Sequence, residues 1–258
     1  MQSSFLGFIA YEGKSVIDGK PIVVIVNRLY DPLKTSGGSE NAKTGQTIQS
    51  FIIRSDVPPV EALQTGADVS VCGNCIHRPL LAKANGEAPC YVNVGRSVRS
   101  VYEAYKRGRY TKATPEVIAK ALTGQKLRLG TYGDPGACPV SVWQQINRYT
   151  SGHIGYSHLW QSLGFDHSAW ASLVMASVDS TDEAVLANLH GMRAFRVSIG
   201  LDKQVGELIC PASAEGGKKT QCADCMLCGG TSKVAKDVVI ADHALGHKRR
   251  VIQLALAV

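Results

Sequence analysis

The sequence lacks the segments that direct a chain to a membrane or out of the cell. It holds no run of about eighteen apolar residues, the length that a membrane-spanning helix needs. Its amino terminus shows no positively charged segment followed by an apolar segment and a cleavage site, the pattern of a secretory signal. It also lacks the Gly-x4-Gly-Lys-Ser/Thr loop that binds ATP phosphates. We therefore expect a cytoplasmic protein that does not hydrolyse ATP.

The length and the charge of the chain narrow its class. The chain has 258 residues, of which 45% are hydrophobic, and a formal net charge of +7. This length is enough to bury one sizeable core, and α/β barrels commonly reach it as a single domain. The charge is moderate, so by itself it indicates a polyanionic partner only weakly. We therefore expect one main domain whose function is set by local motifs.

Seven of the eight cysteines form two groups with the spacing of metal ligands. The first cysteine set is Cys72, Cys75 and Cys90, and the second cysteine set is Cys210, Cys222, Cys225 and Cys228. Because a reducing cytosol keeps thiols free, this spacing indicates metal ligands rather than disulfides. We therefore predict that all seven cysteines bind metal.

The two sets predict different kinds of site. The second cysteine set supplies four sulfurs, which close a tetrahedral zinc site or hold a 4Fe-4S cluster. We favour the cluster and keep zinc as the alternative metal, with His243 or His247 as a substitute for one thiolate. The first cysteine set supplies three sulfurs and leaves one position open for His77, Cys138 or a bound substrate. Open metal positions are typical of catalytic sites, so the first set is the predicted reactive centre.

Apolar runs and helical patterns alternate along most of the chain. Residues 5–11 and 21–26 predict a β hairpin, and the polar residues 35–46 predict a mobile loop. Further strands are predicted at residues 68–71, 126–131, 153–157, 173–178, 194–199, 207–209 and 238–241, and helices at residues 97–106, 114–122, 140–149 and 182–190. Such alternation is typical of a parallel sheet with crossover helices.

These elements predict an α/β fold with a parallel, barrel-like or partial-barrel core. An N-terminal β hairpin and a C-terminal cysteine-rich metal loop complete the predicted fold. An open doubly wound sheet is the alternative. We expect residues 1–65 to hold the hairpin and the mobile loop, and residues 66–258 to form the metal-binding core with the C-terminal cluster loop.

Titratable residues follow several of the predicted strands. Asp134, His158 and Asp179 stand just past the ends of three of them. Because the carboxyl ends of parallel strands meet at one edge of a sheet, we expect these side chains to gather at a catalytic mouth. The two carboxylates are candidates for positioning a substrate, and His158 for binding metal or substrate. The structural alternatives are a helix-cap role for the Ser-Thr-Asp segment that follows Asp179 and a hydrogen-bonding role for His158.

A basic segment supplies a candidate surface for nucleic acid. Five cationic residues lie within fourteen positions of one another, accompanied by Tyr102, Tyr105 and Tyr110; they are Arg96, Arg99, Lys106, Arg107 and Arg109. Cations interleaved with aromatic rings can bind phosphates and stack bases. The alternative is a solvated helix face. We predict nucleic-acid binding through these five residues as the second possibility for function.

Several segments together resemble a known family. They are SVCGNCIHRP, PCYVNVGRSVRSVYEAYKRGRY, LRLGTYGDPGACPVSVW, GYSHLW, MASVD and ICPASAEGGKKTQCADCMLC. With these segments the chain resembles a family of bacteriophage-encoded, cysteine-rich hypothetical proteins. Some members are labelled radical-SAM-like and others rolling-circle replication initiators. The resemblance spans roughly residues 65–245 and implies a viral protein that acts in the cytoplasm of the host.

The radical-SAM label implies roles for particular residues. In such enzymes three cysteines after the first barrel strand hold a 4Fe-4S cluster, and S-adenosylmethionine chelates the open iron. The first cysteine set takes that place, although its spacing is Cys-x2-Cys-x14-Cys where the radical-SAM motif is Cys-x3-Cys-x2-Cys. Asp134 takes the place of the acid that holds the amino group of S-adenosylmethionine. The second cysteine set is similar to an auxiliary cluster.

The replication-initiator label implies two histidines around one hydrophobic residue, and the sequence contains no His-x-His.

The favoured prediction is therefore an iron–sulfur protein with two clusters, a radical-SAM-like or one-electron redox enzyme of unknown substrate. The alternative is a nucleic-acid-binding, replication-associated phage protein with structural zinc or iron–sulfur sites. A third reading is that neither metal site is catalytic.

Overall fold

The strands of the chain lie in one mixed sheet. In the computed structural model, which describes residues 7–27, 43–85 and 90–242, this sheet has ten strands. They are β1 Gly7–Lys14, β2 Pro21–Asn27, β3 Ile48–Arg54, β4 Thr111–Lys112, β5 Lys126–Tyr132, β6 Gly152–Ser157, β7 Met175–Val178, β8 Ala194–Ser198, β9 Glu207–Ile209 and β10 Asp237–Ala241. Their order across the sheet is β4-β1-β2-β3-β5-β6-β7-β8-β10-β9.

Most neighbouring strands are parallel. β1 pairs with β2 and β2 with β3 in antiparallel fashion, and every pairing from β3 to β9 is parallel. β5, β6, β7 and β8 are neighbours in chain order, so their carboxyl ends lie side by side at one edge. Among the described residues no ladder joins the outermost strands β4 and β9. The fold is therefore an α/β sheet with an N-terminal antiparallel hairpin, and closure into a barrel is not seen.

Helices connect and cover the strands. The α-helices of the described residues are α1 Pro59–Thr65, α2 Val69–Cys72, α3 Pro79–Asn85, α4 Arg99–Lys106, α5 Pro115–Leu122, α6 Val140–Asn147, α7 His167–Trp170, α8 Thr181–Leu189 and α9 Cys222–Cys225. A kinked turn, Val94–Val98, with non-helical backbone angles at Arg96, precedes α4. The hydroxyls of Thr114 and Ser180 accept backbone N–H groups and so fix the starts of α5 and α8. None of the helices in the described ranges is long and apolar enough to cross a bilayer.

Two apolar clusters cover the sheet. The larger one contains residues 22–26 of β2, all almost completely buried, together with Trp143 and Trp160. The smaller one joins Ile154, Met175 and Phe195 to residues of the segment that carries the second cysteine set, including Cys210 and Cys228. Apolar contact with the strands therefore helps to hold that cysteine-rich segment against the sheet.

Most predicted elements are confirmed. The hairpin, the six strands predicted from residue 126 onward and the four predicted helices are all present with small shifts of their ends. The strand predicted at residues 68–71 is wrong, because these residues belong to α2, in which the Cys72 N–H bonds to the Asp68 carbonyl at 2.9 Å. The run Val-Ser-Val is too short for periodicity to separate strand from helix. The strand that precedes β5 in the main parallel run of the sheet is instead β3, which is entirely buried.

The predicted boundary at residue 65 falls within one continuous structure. β1, β2 and β3, which precede it, lie in the same sheet as the strands that follow it. Residues 35–42 of the predicted loop lie outside the described residues, as do His243 and His247. The described end of that loop packs on the protein, since the Lys43 carbonyl accepts the Cys222 N–H at 2.8 Å.

Candidate functional site

Residues from three strand ends meet at the carboxyl edge of the sheet. Asp134 follows β5, His158 follows β6 and Asp179 follows β7. The Asp134 carboxylate accepts the His158 N–H at 2.6 Å, and His158 Nε2 lies 4.0 Å from Asp179 Oδ2. The expectation that these three residues gather at one edge is confirmed. Because β5, β6 and β7 are parallel neighbours, their polar ends are adjacent without any special loop conformation.

His77 completes a compact group with two of these residues, here called the His77–His158–Asp179 triad. Its Nε2 lies 2.8 Å from Asp179 Oδ1, and its ring centroid lies 5.9 Å from that of His158. One ligand atom from each of the three side chains lies within 4.8 Å of the others. Within the described ranges, no other set of three His, Cys, Asp or Glu side chains is this close. The triad is therefore the strongest candidate for a preformed metal site.

The triad is recessed but reachable from solvent. The side chains of His77, Asp179 and His158 are 19%, 25% and 26% exposed. The Nε2 atom of His158 is buried and has no hydrogen-bond partner. Burial lowers the pKa of His158 below its ordinary value, against the opposing effect of Asp134 and Asp179. The imidazole is therefore neutral at neutral pH, the form that binds metals.

Asp134 holds the turns that follow β5 and β6. Its Oδ1 accepts Gly136 N–H at 2.8 Å and Ser157 Oγ–H at 2.7 Å, and its Oδ2 accepts the N–H groups of His158 and Leu159 at 2.6 and 3.3 Å. Burial raises the pKa of this carboxyl, and the bond from Ser157 opposes the shift. A carboxylate offers about four acceptor positions, and these bonds use all of them. Asp134 therefore fixes the backbone of His158.

The first cysteine set borders the triad. Cys72 ends α2, and the Cys90 N–H donates to the His77 carbonyl at 2.7 Å. Burial raises the pKa of Cys75 from 9.0 to about 12, a His77 N–H bond opposes the rise, and the negative charges of Cys90, Asp134 and Asp179 add to it. Burial also raises the pKa of Cys72, with further contributions from Cys75 and Cys90. The Cys75 N–H donates to the Cys72 carbonyl at 3.3 Å, so this bond and the Cys90–His77 bond place the three cysteines in one region, although their sulfurs do not reach the 4.8 Å separation of the triad.

A buried ion pair supports the segment that carries Cys72 and Cys75. Arg78 donates to both carboxylate oxygens of Asp68, at 2.9 and 2.7 Å, and to the carbonyls of Gly73 and Gly66 at 3.2 and 2.9 Å. The local sequence does not predict this pair. Asp68 and Arg78 are ten residues apart, and the short helix and turn between them do not by themselves bring the two side chains together. The pair clamps α2 at both of its ends.

The second cysteine set surrounds one small cavity. All four of its sulfur-bearing residues line the cavity, whose volume is about 10 Å³, together with Ile154 and Tyr156. Met226 has a φ of 50°, which turns the chain between Cys225 and Cys228. All eight cysteines of the chain are free thiols, and no three sulfurs of this set lie within 4.8 Å of one another. The 4Fe-4S cluster or zinc ion expected at the second cysteine set stays a prediction.

Burial also governs the acidity of these thiols. It raises the pKa of Cys228 to about 12, against a hydrogen bond from Tyr156, and it raises the pKa of Cys222 against the charges of Arg128 and Lys43. Metal binding at these cysteines must therefore release protons. Cys138, the eighth cysteine, lies in the main core, 1% exposed, with its Sγ 3.6 Å from the Pro135 carbonyl.

The five cations of the basic segment are exposed, but two of its three tyrosines are not. Tyr102 and Tyr110 are 8% and 6% exposed and pack in the core. The cations Arg96, Arg99, Lys106, Arg107 and Arg109 all face solvent. Glu103 lies 2.8 Å from Arg99 and 4.0 Å from Arg107, and so offsets part of their charge. Base stacking on Tyr102 or Tyr110 is therefore excluded in this structure.

Comparison with protein-family models, with curated proteins and with solved structures found no match to this chain. The resemblance to the phage-encoded family therefore stays a prediction, as do the source and the function that it implies. What is established is the fold at the level of an α/β, mostly parallel sheet, and the position of the polar group at its carboxyl edge.

Proposed function

We propose that this protein is a metal-dependent redox enzyme whose reaction centre lies at the carboxyl edge of β5, β6 and β7. The first cysteine set would hold a 4Fe-4S cluster with one open iron position. The observation that carries the proposal is that backbone bonds join the cysteine-bearing segment to the strand ends: the Asp134 N–H donates to the Val71 carbonyl, next to Cys72, at 2.6 Å, and the Cys90 N–H donates to the carbonyl of His77. The His77 side chain in turn contacts Asp179 at 2.8 Å. Parallel α/β proteins build their ligand sites at this edge.

The partial barrel that the sequence predicts is part of this proposal. The strands β5, β6, β7 and β8 support it, because they lie side by side in the order in which they occur in the chain. Successive strands of a β/α barrel are arranged in the same way. S-adenosylmethionine is the candidate ligand for the open iron and would supply radical chemistry there. His158 and Asp179 are the candidate groups that face its substrate, and Asp134 acts as a positioning residue through the backbone of His158.

The second cysteine set would bind a closed metal site that holds the loop to the sheet. Its cavity of about 10 Å³ is roughly the space of one water molecule, which favours a single zinc ion. A tetrahedral zinc site with bonds of 2.3 Å needs sulfurs about 3.8 Å apart. No three of these sulfurs are within 4.8 Å, which favours the larger 4Fe-4S cluster. Both metals stay candidates at this set.

Metal analysis after anaerobic purification tests the proposal. Two clusters predict about eight irons and about eight sulfides per chain, with broad visible absorbance. A variant with Cys72, Cys75 and Cys90 changed to serine is expected to lose about half of the iron. Cys138→Ala removes a cysteine outside both sets and is expected to keep all of it. A colourless wild-type protein that holds zinc without iron would refute the redox function.

Nucleic-acid binding through the basic segment is the second candidate function. The observation that favours it is the exposure of all five cations on and beside α4. Binding of a fluorescent single-stranded DNA should then weaken with salt, with a slope that falls by about 0.7 for each phosphate contact removed. We expect Arg96→Ser and Arg109→Ser to lower the slope and Lys203→Ser, an exposed cation elsewhere, to leave it unchanged. Affinity that does not depend on salt would refute this function.

A further inference from the structure

We propose that the His77–His158–Asp179 triad binds a single divalent transition-metal ion of its own, distinct from any metal on the two cysteine sets. Two imidazole nitrogens and one carboxylate oxygen are the donor set of open Fe²⁺ sites, and imidazole also suits Zn²⁺ and Co²⁺. Three protein ligands leave further coordination positions for water or a substrate. The site needs no iron–sulfur cluster, so it goes beyond the function proposed above.

The distances within the triad are close to those of a metal site. Ligand bonds of about 2.1 Å put neighbouring ligand atoms about 3.0 Å apart in an octahedron and about 3.4 Å apart in a tetrahedron. His77 Nε2 and Asp179 Oδ1 are 2.8 Å apart, which already fits. His158 Nε2 and Asp179 Oδ2 are 4.0 Å apart, and the three ligand atoms lie within 4.8 Å of one another, so the largest separation exceeds the octahedral value by no more than about 1.8 Å. Side-chain rotations of this size would bring the three ligands onto one ion.

The unpartnered nitrogen of His158 is an independent observation that points to a ligand. His77 and Asp179 form a hydrogen-bonded pair, and that pair by itself explains their positions. It leaves His158 Nε2 buried, beside the pair, without a hydrogen-bond partner. A buried polar atom without a partner destabilises the folded protein. A cation between the three side chains would satisfy this atom and the carboxylate together.

The backbone around the triad is already fixed. The Asp134 carboxylate holds the N–H of His158 at 2.6 Å, and Glu183 Oε2 holds the N–H of Asp179 at 2.7 Å. The carbonyl of His77 accepts the N–H of Cys90 at 2.7 Å. Ligands that are held by such outer contacts lose little freedom when a metal binds. The three ligand-bearing turns are thus preorganised, and they come from three separate parts of the chain.

Cobalt binding to the full chain tests this site, with Co²⁺ alone as the probe. Calorimetry counts the ions bound, and the visible spectrum separates nitrogen and oxygen ligands from thiolates, which add intense charge-transfer bands. In the parent and in the variant with Cys72, Cys75 and Cys90 changed to serine, one Co²⁺ is expected to bind without those bands, beside any thiolate-bound Co²⁺ at the remaining cysteines. Asp179→Asn and His158→Gln are expected to weaken this binding at least about tenfold.

Two matched variants control for the loss of a charge or an imidazole. Asp182→Asn, one turn away on α8, and His190→Gln, at the end of α8, change exposed residues outside the triad and are expected to bind Co²⁺ normally. Unchanged binding in both Asp179→Asn and His158→Gln would overturn the proposal. Binding that disappears in the serine variant would assign the ion to the first cysteine set and would also overturn it. If the serine variant does not fold, Co²⁺ uptake by Asp179→Asn that equals the uptake by the parent gives that same negative result.

The outcome is distinguishable from that of the redox function. Failure of the iron–sulfur proposal appears as missing iron in the anaerobic wild-type protein. Failure of the triad proposal appears as cobalt binding that is unchanged in Asp179→Asn and His158→Gln, whatever the iron content of the protein.

Discussion

The buried pair Arg78–Asp68 makes a quantitative prediction about stability. Replacing Arg78 by Met keeps most of the side-chain length and removes the charge. The two side chains are 9% and 2% exposed, so the Asp68 carboxylate would remain in the interior without its cation. Breaking a buried pair in this way costs about 3–5 kcal/mol. Since domains are stable by about 5–15 kcal/mol, the variant should lose about a fifth or more of its free energy of unfolding.

Urea unfolding followed by circular dichroism measures this loss, and a double-mutant cycle isolates the pair. If the cost is that of an unpaired charge, Asp68→Leu combined with Arg78→Met should be more stable than the sum of the single changes predicts, by at least about 1.5 kcal/mol. Arg148→Met, at an exposed position, should change stability by no more than about 0.5 kcal/mol. A cost for Arg78→Met below about 1 kcal/mol, or additive single changes, would refute this reasoning.

The same substitution also tests the metal site proposed for the first cysteine set. Arg78 donates to the carbonyl of Gly73, which lies between Cys72 and Cys75. Loss of this bond frees the turn that carries both cysteines, so iron content should fall in Arg78→Met even at temperatures where the protein stays folded. Full iron content in the folded variant would show that the clamp serves stability alone.

Three further predictions concern the turns, the carboxylate and one buried tyrosine. At Gly133, with φ of 79°, an added Cβ would lie 2.5 Å from the Ile52 carbonyl oxygen, whereas Gly191, with φ of 75°, has nothing within 4 Å. Thermal melts should therefore show a loss of about 1 kcal/mol for Gly191→Ala and about 3 kcal/mol or more for Gly133→Ala, and equal losses would exclude the clash. Asp134→Asn replaces one acceptor oxygen by an amide donor, so urea unfolding should show a cost of about 1.5–3 kcal/mol and Co²⁺ binding should weaken; unchanged values would contradict the anchoring role. Burial raises the pKa of Tyr110 from 10.0 to about 12, so the unfolded chain loses this proton first and stability should fall as the pH rises from 10 towards 12. Unfolding at pH 9 and pH 11 should show a smaller fall in Tyr110→Phe than in the parent, and equal falls would contradict this assignment.

Local patterns were enough to locate most elements and part of the candidate site. Apolar runs alternate with helical periodicity from residue 126 onward, and each run became a strand of the parallel sheet. Because residues after parallel strands share one edge, the positions of Asp134, His158 and Asp179 in the chain were enough to predict that they meet. Pattern reasoning failed at residues 68–71, where Val69 and Val71, which both have high β propensity, form part of a short helix.

Contacts between distant segments were not predictable from those patterns. His77 lies 102 positions before Asp179, and their contact depends on how the segment after α2 packs across the ends of β5, β6 and β7. From their positions among cationic residues, Tyr102 and Tyr110 were candidates for base stacking. In the structure both rings are buried.

The sequence by itself determined the order of the elements, the strand ends that carry acids and a histidine, and the spacing of the two cysteine sets. These depend on backbone periodicity and on a few neighbouring residues. The tertiary structure alone decided which residues share a site, which charges are buried in pairs and which rings face solvent. Those properties depend on which faces pack together, and packing joins residues that no local periodicity relates.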